Sequence, residues 1–104
     1  KDNQIKLGGR RIEIGEIEAV LSKFTLLQDV VVVAIKNDDQ ITTGCVAFTM
    51  SDINKEDQIR IRQESMQHLE QVFFPKKIVT IDEFPRSSSG KIDRKELSLK
   101  SQSL

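Results

Sequence analysis

Asp29-Val30-Val31-Val32-Val33-Ala34-Ile35-Lys36-Asn37-Asp38-Asp39-Gln40-Ile41-Thr42-Thr43-Gly44-Cys45-Val46-Ala47-Phe48-Thr49-Met50 contains two apolar, β-branched runs separated by four polar residues. Asp29 to Ile35 is almost continuously apolar, the pattern of a strand buried on both faces. Asn37-Asp38-Asp39-Gln40 has the side chains that bond their own backbone in turns, so Ile41 to Met50 returns as the hairpin partner. This hairpin is the predicted centre of the domain.

Upstream, Gln4 to Leu7 and Arg11 to Ile14 alternate apolar and polar residues around Gly8-Gly9, predicting two short strands joined by a tight turn, with Gly15 ending the second. Ile17, Val20, Leu21 and Phe24 then recur at i, i+3, i+4 and i+7, one stripe of an amphipathic helix. Glu16 and Glu18 fall in its first turn, where the helix dipole favours acidic residues. Two apart on a helix, they face different directions, which argues against a catalytic carboxylate pair with each other or with Glu13.

Downstream, Ser51 to Asn54 is a polar loop able to cap a helix start. Ile59, Met66, Leu69 and Phe73 trace a stripe that predicts a helix from Lys55 to about Val72, interrupted by Arg62 and stopped by Pro75. Lys77 to Asp82 alternates as a third core strand. Asp93 caps a predicted short helix to about Leu99, and Lys100 to Leu104 reads as a frayed tail. The expected fold is α+β: a main sheet of about three strands with flanking helices, plus a small N-terminal two-stranded hairpin.

The 104 residues suit one domain. Sixteen basic residues balance 16 acidic ones, so no global field recruits nucleic acid or a membrane. The one local bias is basic: Arg86, Lys91, Arg94, Lys95 and Lys100. No apolar stretch is long enough to span a bilayer. The single cysteine, Cys45, excludes an internal disulfide and fits a reducing, cytoplasmic setting. Within its apolar run it reads as a buried strand residue rather than a nucleophile. His68, the only histidine, has no second histidine or cysteine spaced for metal or triad work, and no metal site is expected. The chain opens at Lys1 without an initiator methionine, which reads as a segment of something longer.

Pro85-Arg86-Ser87-Ser88-Ser89-Gly90-Lys91-Ile92-Asp93-Arg94 places one lysine on a serine-glycine segment just before the last helix. Ser89 and Gly90 favour an open, mobile loop from which Lys91 can reach an anion. A phosphate-binding P-loop does not fit: the upstream glycine is missing and Ile92 replaces the hydroxyl residue. By itself a loop lysine is more often simply solvated. Gly8-Gly9 also has two readings, a turn that needs positive φ or a surface where a thin ligand passes close to the backbone.

Two stretches together point further. Asp2 to Glu18 (DNQIKLGGRRIEIGEIE) resembles the hinge motif of adenylate-forming enzymes, the superfamily of acyl-CoA synthetases, nonribosomal peptide synthetase adenylation domains and luciferases. Phe84 to Leu97 (FPRSSSGKIDRKEL) resembles the catalytic-lysine motif of the same superfamily, in the right order and at the expected separation. The resemblance implies that residues 1–104 form the mobile C-terminal subdomain of an AMP-forming ligase, inactive in isolation. Its partner would be an N-terminal adenylation domain that binds most of the ATP and Mg2+. By the same resemblance Lys91 serves adenylation and Asp2 is the hinge. Gly8 and Gly9, with Lys6 and Arg11, form the face past which a phosphopantetheine thiol, on a carrier protein or CoA, reaches the adenylate. Ser87-Ser88-Ser89-Gly90 is more at home among acyl-CoA-type members. Asp93-Arg94 and the Asp2 to Lys6 run lean toward amino-acid-activating ones. Two rivals are a free-standing module that docks a carrier protein without chemistry, and an acyl-CoA synthetase fragment using fatty or aryl acids.

Overall fold

The computed structural model describes residues 4–24, 27 and 29–102. The central hairpin forms as expected: β3 (Val31–Lys36) pairs antiparallel with β4 (Thr42–Thr49), with Val33 opposite Val46. Asn37 closes the turn, its side-chain oxygen accepting from the backbone N–H of Asp39 (2.8 Å) and of Ile41 (3.1 Å). β5 (Lys77–Thr80) adds in parallel on the far side of β4, giving the order β3-β4-β5. A separate antiparallel hairpin joins β1 (Gln4–Leu7) to β2 (Arg10–Glu13) through Gly8 and Gly9. Among the described residues the architecture is α+β, with three α-helices, a mixed three-stranded sheet and a two-stranded hairpin.

Alternation along the strands gives the sheet two unlike faces. Val32, Cys45, Ala47 and Ile78 point to one face. They pack under Ile5 and Leu7 of β1 and under Ile14, Ile17 and Leu21 of α1 (Ile14–Ser22). Ile61 of α2 (Lys55–Ser65) and the residues Leu69, Phe73 and Phe74 complete that layer. Val31, Val33, Val46 and Phe48 point the other way, onto Phe84, Ile92 and Leu97. Leu97 belongs to α3 (Arg94–Gln102). The β1–β2 hairpin and the segment carrying Lys91 are therefore anchored on opposite faces of one sheet.

Several boundaries differ from the sequence reading. Gly15 does not end a strand; it lies in the first turn of α1, because Ile14 is buried and shares a helical face with Ile17 and Leu21. α2 stops at Ser65, well short of Val72. The chain tightens there, with the N–H of Gln67 bonded to the carbonyl of Glu64 and that of His68 to Ser65, a change that ends α-helices. A separate 3₁₀ turn at Gln71–Phe73 follows, and the redirected chain buries Leu69, Phe73 and Phe74. Ile59 is not on the core stripe. It is 51% exposed while Ile61 is fully buried, since residues two apart lie on nearly opposite sides of a helix. The start of α2 is as expected: Asn54 accepts from the N–H of Asp57 (2.7 Å), and the Asp57 carboxylate accepts from the N–H of Asn54 (3.2 Å), a capping box. α3 continues through Lys100 and Ser101 to Gln102, where a frayed tail was expected; Ser101 is buried and its hydroxyl donates to the Ser98 carbonyl (2.6 Å).

Cys45 is buried, its Sγ 3.6 Å from the Phe73 carbonyl oxygen. Desolvation pushes its pKa from 9.0 to about 12. The folded thiol should therefore resist iodoacetamide at about pH 8, whereas denatured chain is alkylated readily. Above pH 9 the unfolded thiol ionises and the folded one does not, so this residue's contribution to stability is lost as pH rises from 9.0 to about 12. A Cys45→Ser control scanned over that interval isolates the effect; rapid alkylation of folded chain would refute it.

Candidate functional site

Lys91 does not sit on an open loop. Arg86 and Ile92 form an antiparallel bridge. The N–H of Ser87 donates to the Lys91 carbonyl (2.8 Å), and the N–H of Gly90 to the Ser87 carbonyl (2.9 Å). The Arg86 guanidinium donates to the Gly90 carbonyl (3.0 Å), and the Ser87 and Ser89 hydroxyls lie 3.0 Å apart. Gly90 has φ +88°. This is a three-residue hairpin connection with glycine at the left-handed position. Ser87 and Ser89 of the segment that suggested an open loop instead bond each other, and the main chain of Ser87 bonds Gly90 and Lys91.

The base of this hairpin is fixed too. The N–H of Asp93 donates to the Pro85 carbonyl (2.8 Å), while the Asp93 carboxylate accepts from the N–H of Glu96 (3.1 Å) and caps α3. Ile92 is packed against the second sheet face. Lys91 itself is exposed, and its ammonium has no hydrogen-bond or carboxylate partner among the described residues. Other cations of the same basic stretch are differently placed: Arg86 serves the hairpin, and Arg94 pairs with Glu18 (3.0 Å). A fixed backbone thus carries an outward, uncommitted charge.

On the other sheet face, Gly8 (φ +58°) and Gly9 (φ +79°) form the two-residue β1–β2 turn, and positive φ at both central positions favours glycine there. A side-chain carbon at either glycine would meet no atom of this chain within 4 Å, so the space beside them is open. Lys6 and Arg11 are directly opposite one another across the ladder, and both are exposed. Like charges so placed repel, and an anion between them would relieve that repulsion. Arg10 pairs with Glu70, tying the turn to the segment after α2. Asp2 lies outside the described residues.

The profile of the AMP-binding enzyme C-terminal domain matches residues 16–91, ending on Lys91. This chain belongs to the AMP-binding enzyme C-terminal domain family. It is 38% identical over 103 residues to the nonribosomal peptide synthetase sidC of Aspergillus fumigatus, a match covering 92% of this chain and 2% of the relative. Among solved structures, the Vibrio cholerae adenylation domain AlmE, crystallised with glycyl-adenosine-5'-phosphate, superposes with a TM-score of 0.81 at 28% identity, covering 100% of this chain and 19% of that one. A Brucella canis acyl-CoA synthetase shares the fold at a TM-score of 0.78 and 23% identity, over 97% of this chain and 20% of that one. The AMP-binding C-terminal domain described here thus spans a small part of the relatives it matches.

The contact between Glu18 and Arg94 is not legible in the sequence. Glu18 reads as a helix-start charge, yet its carboxylate accepts from the N–H of Val32 (2.8 Å) as well as from Arg94. The one available signal is Arg94 itself, a cation at the first position of α3, where the helix dipole disfavours it. Among the described residues, no helix of this AMP-binding C-terminal domain is long and apolar enough to cross a membrane.

Proposed function

We propose that this domain is the lysine-bearing, mobile part of an ATP-dependent, AMP-forming ligase. The observation that carries the reading is the uncommitted Lys91 ammonium at the end of a hydrogen-bonded hairpin, anchored on the sheet face opposite the Gly8-Gly9 turn. In this reading an N-terminal adenylation domain holds ATP, Mg2+ and the carboxylic acid. A carboxylate oxygen attacks the α-phosphorus, an acyl adenylate forms and pyrophosphate departs. Lys91 offsets the negative charge that grows on the reacting groups, the kind of stabilisation that works best from a preorganised donor in a closed site.

The domain then turns about Asp2 and presents its other face. A phosphopantetheine thiol passes Gly9, attacks the acyl carbonyl and releases AMP. Lys6 and Arg11 suit the pantetheine phosphate, because their opposed positive charges favour an anion between them. A carrier protein supplies that arm. An amino acid is the favoured carboxylate, supported by the full-length overlap of this chain with an adenylation domain bound to an aminoacyl adenylate and by its identity to a peptide synthetase. The domain is inactive without its N-terminal partner, and the enzyme works in the cytoplasm.

Carboxylate-dependent ATP–pyrophosphate exchange by the full-length protein tests this. Exchange is expected with at least one member of an amino-acid panel, and with none of a matched set of fatty and aryl acids. Exchange with the second set alone would make the enzyme an acyl-CoA synthetase. No exchange with either set, alongside binding of a carrier protein, would leave a docking module.

A further inference from the structure

β3 lies at the edge of the sheet, with β4 on one side only. An unpaired strand edge leaves backbone donors and acceptors without partners. At Val32 both outer groups are satisfied by side chains: its N–H donates to Glu18 Oε2 (2.8 Å), and its carbonyl accepts from Arg94 Nη1 (3.0 Å). Arg94 Nη2 donates to the same Glu18 oxygen (3.0 Å) and closes the ring. A carboxylate and a forked guanidinium thus take the place of a neighbouring strand, through bonds that are charge-assisted throughout. The Glu18 side chain is only 19% exposed, against 44% for Arg94.

The clip joins parts of the chain that pack on different sheet faces. Glu18 is on α1, which follows directly from the glycine hairpin and packs on the first face. Arg94 opens α3, whose Leu97 packs on the second face, and it follows Lys91 by three residues. Between them, Ile92 bridges to Arg86 and Asp93 bonds to Pro85. Little slack therefore separates the guanidinium from the lysine hairpin, and where Arg94 is held determines where the base of that hairpin rests against β3.

We propose that Glu18 and Arg94 are positioning residues for Lys91, clipping the base of its hairpin to the edge of β3 so that the ammonium meets the reacting phosphoryl group in register. The inference rests on the reading that Lys91 serves adenylation. It extends that role to two residues that would act through Lys91.

The test uses the full-length protein with Glu18→Gln, Arg94→Lys, Lys91→Ala and the double variant Lys91→Ala/Arg94→Lys. Glu18→Gln keeps an oxygen for the Val32 N–H and removes the charge. Arg94→Lys keeps the charge and loses the fork that reaches two acceptors at once. Each is expected to lower the kcat of pyrophosphate exchange on the order of tenfold, the scale of a small misplacement, at unchanged KM for ATP and acid. Thiol transfer from preformed adenylate should be retained. Arg94→Lys should cost nothing further in the Lys91→Ala background, because a residue acting through Lys91 then has nothing to position. The same fractional loss in both backgrounds, equal loss of both half-reactions with a lowered Tm, or wild-type kcat in both single variants would each overturn the clip's role. If Lys91→Ala itself leaves exchange intact, the adenylation role of Lys91 fails and the clip falls with it. If Lys91→Ala abolishes exchange while the clip variants do not lower it, only the clip fails.

Discussion

Lys91→Ala in the full-length protein is expected to lower carboxylate-dependent pyrophosphate exchange on the order of a hundredfold or more, the usual cost of removing one preorganised electrostatic contact from a transition state. The fold should hardly change. Lys91 is exposed, its side chain has no partner among the described residues, and the hairpin is closed by backbone groups, Arg86 and Ile92. Surface substitutions of that kind stay within about 0.5 kcal/mol. Thiol transfer from chemically prepared adenylate should survive, since the proposed second half-reaction uses the opposite face. Equal loss of both half-reactions would mean that the lysine has no special tie to adenylation.

The mirror experiment is at Gly9. Gly9→Leu is expected to lower thiol transfer on the order of a hundredfold by obstructing the approach of the thiol, while exchange stays within a few-fold of wild type. Inside the chain the substitution meets no atom within 4 Å; its internal cost comes from φ +79°, about 1–2 kcal/mol for a side chain in the left-handed region. Gly9→Asn tests obstruction at little backbone cost, because asparagine tolerates that backbone conformation and still carries a side chain. Normal transfer in Gly9→Asn with a defect in Gly9→Leu would assign the loss to a deformed turn or to bulk beyond that of asparagine. Normal transfer in both would remove the glycine from the thiol path.

How much was legible depended on the range over which each signal acts. The β3–β4 hairpin announced itself through adjacent β-branched residues and the turn chemistry of Asn37, all of it local. The cap of α2 was equally local. Its end was not: only the need to bring Leu69, Phe73 and Phe74 onto the sheet breaks the helix at Ser65, and that need arises from tertiary packing. For the same reason Ile59, apolar and near the stripe, yielded its core place to Ile61. The lysine segment was legible as a site candidate but misread as a conformation. Serines favour loops generally, and a few well-placed hydrogen bonds made this one a closed hairpin. The Glu18–Arg94 contact spans 76 positions of sequence, beyond any reading by periodicity or spacing.

A single sheet layer separates Lys91's anchorage from that of Gly9. Whatever surface receives one side of this slab hides that side from everything else, so in the proposed cycle activation and acyl transfer exclude one another in time within one molecule. Under that proposal their order requires no additional gate: it follows from a moving part that is solid in the middle.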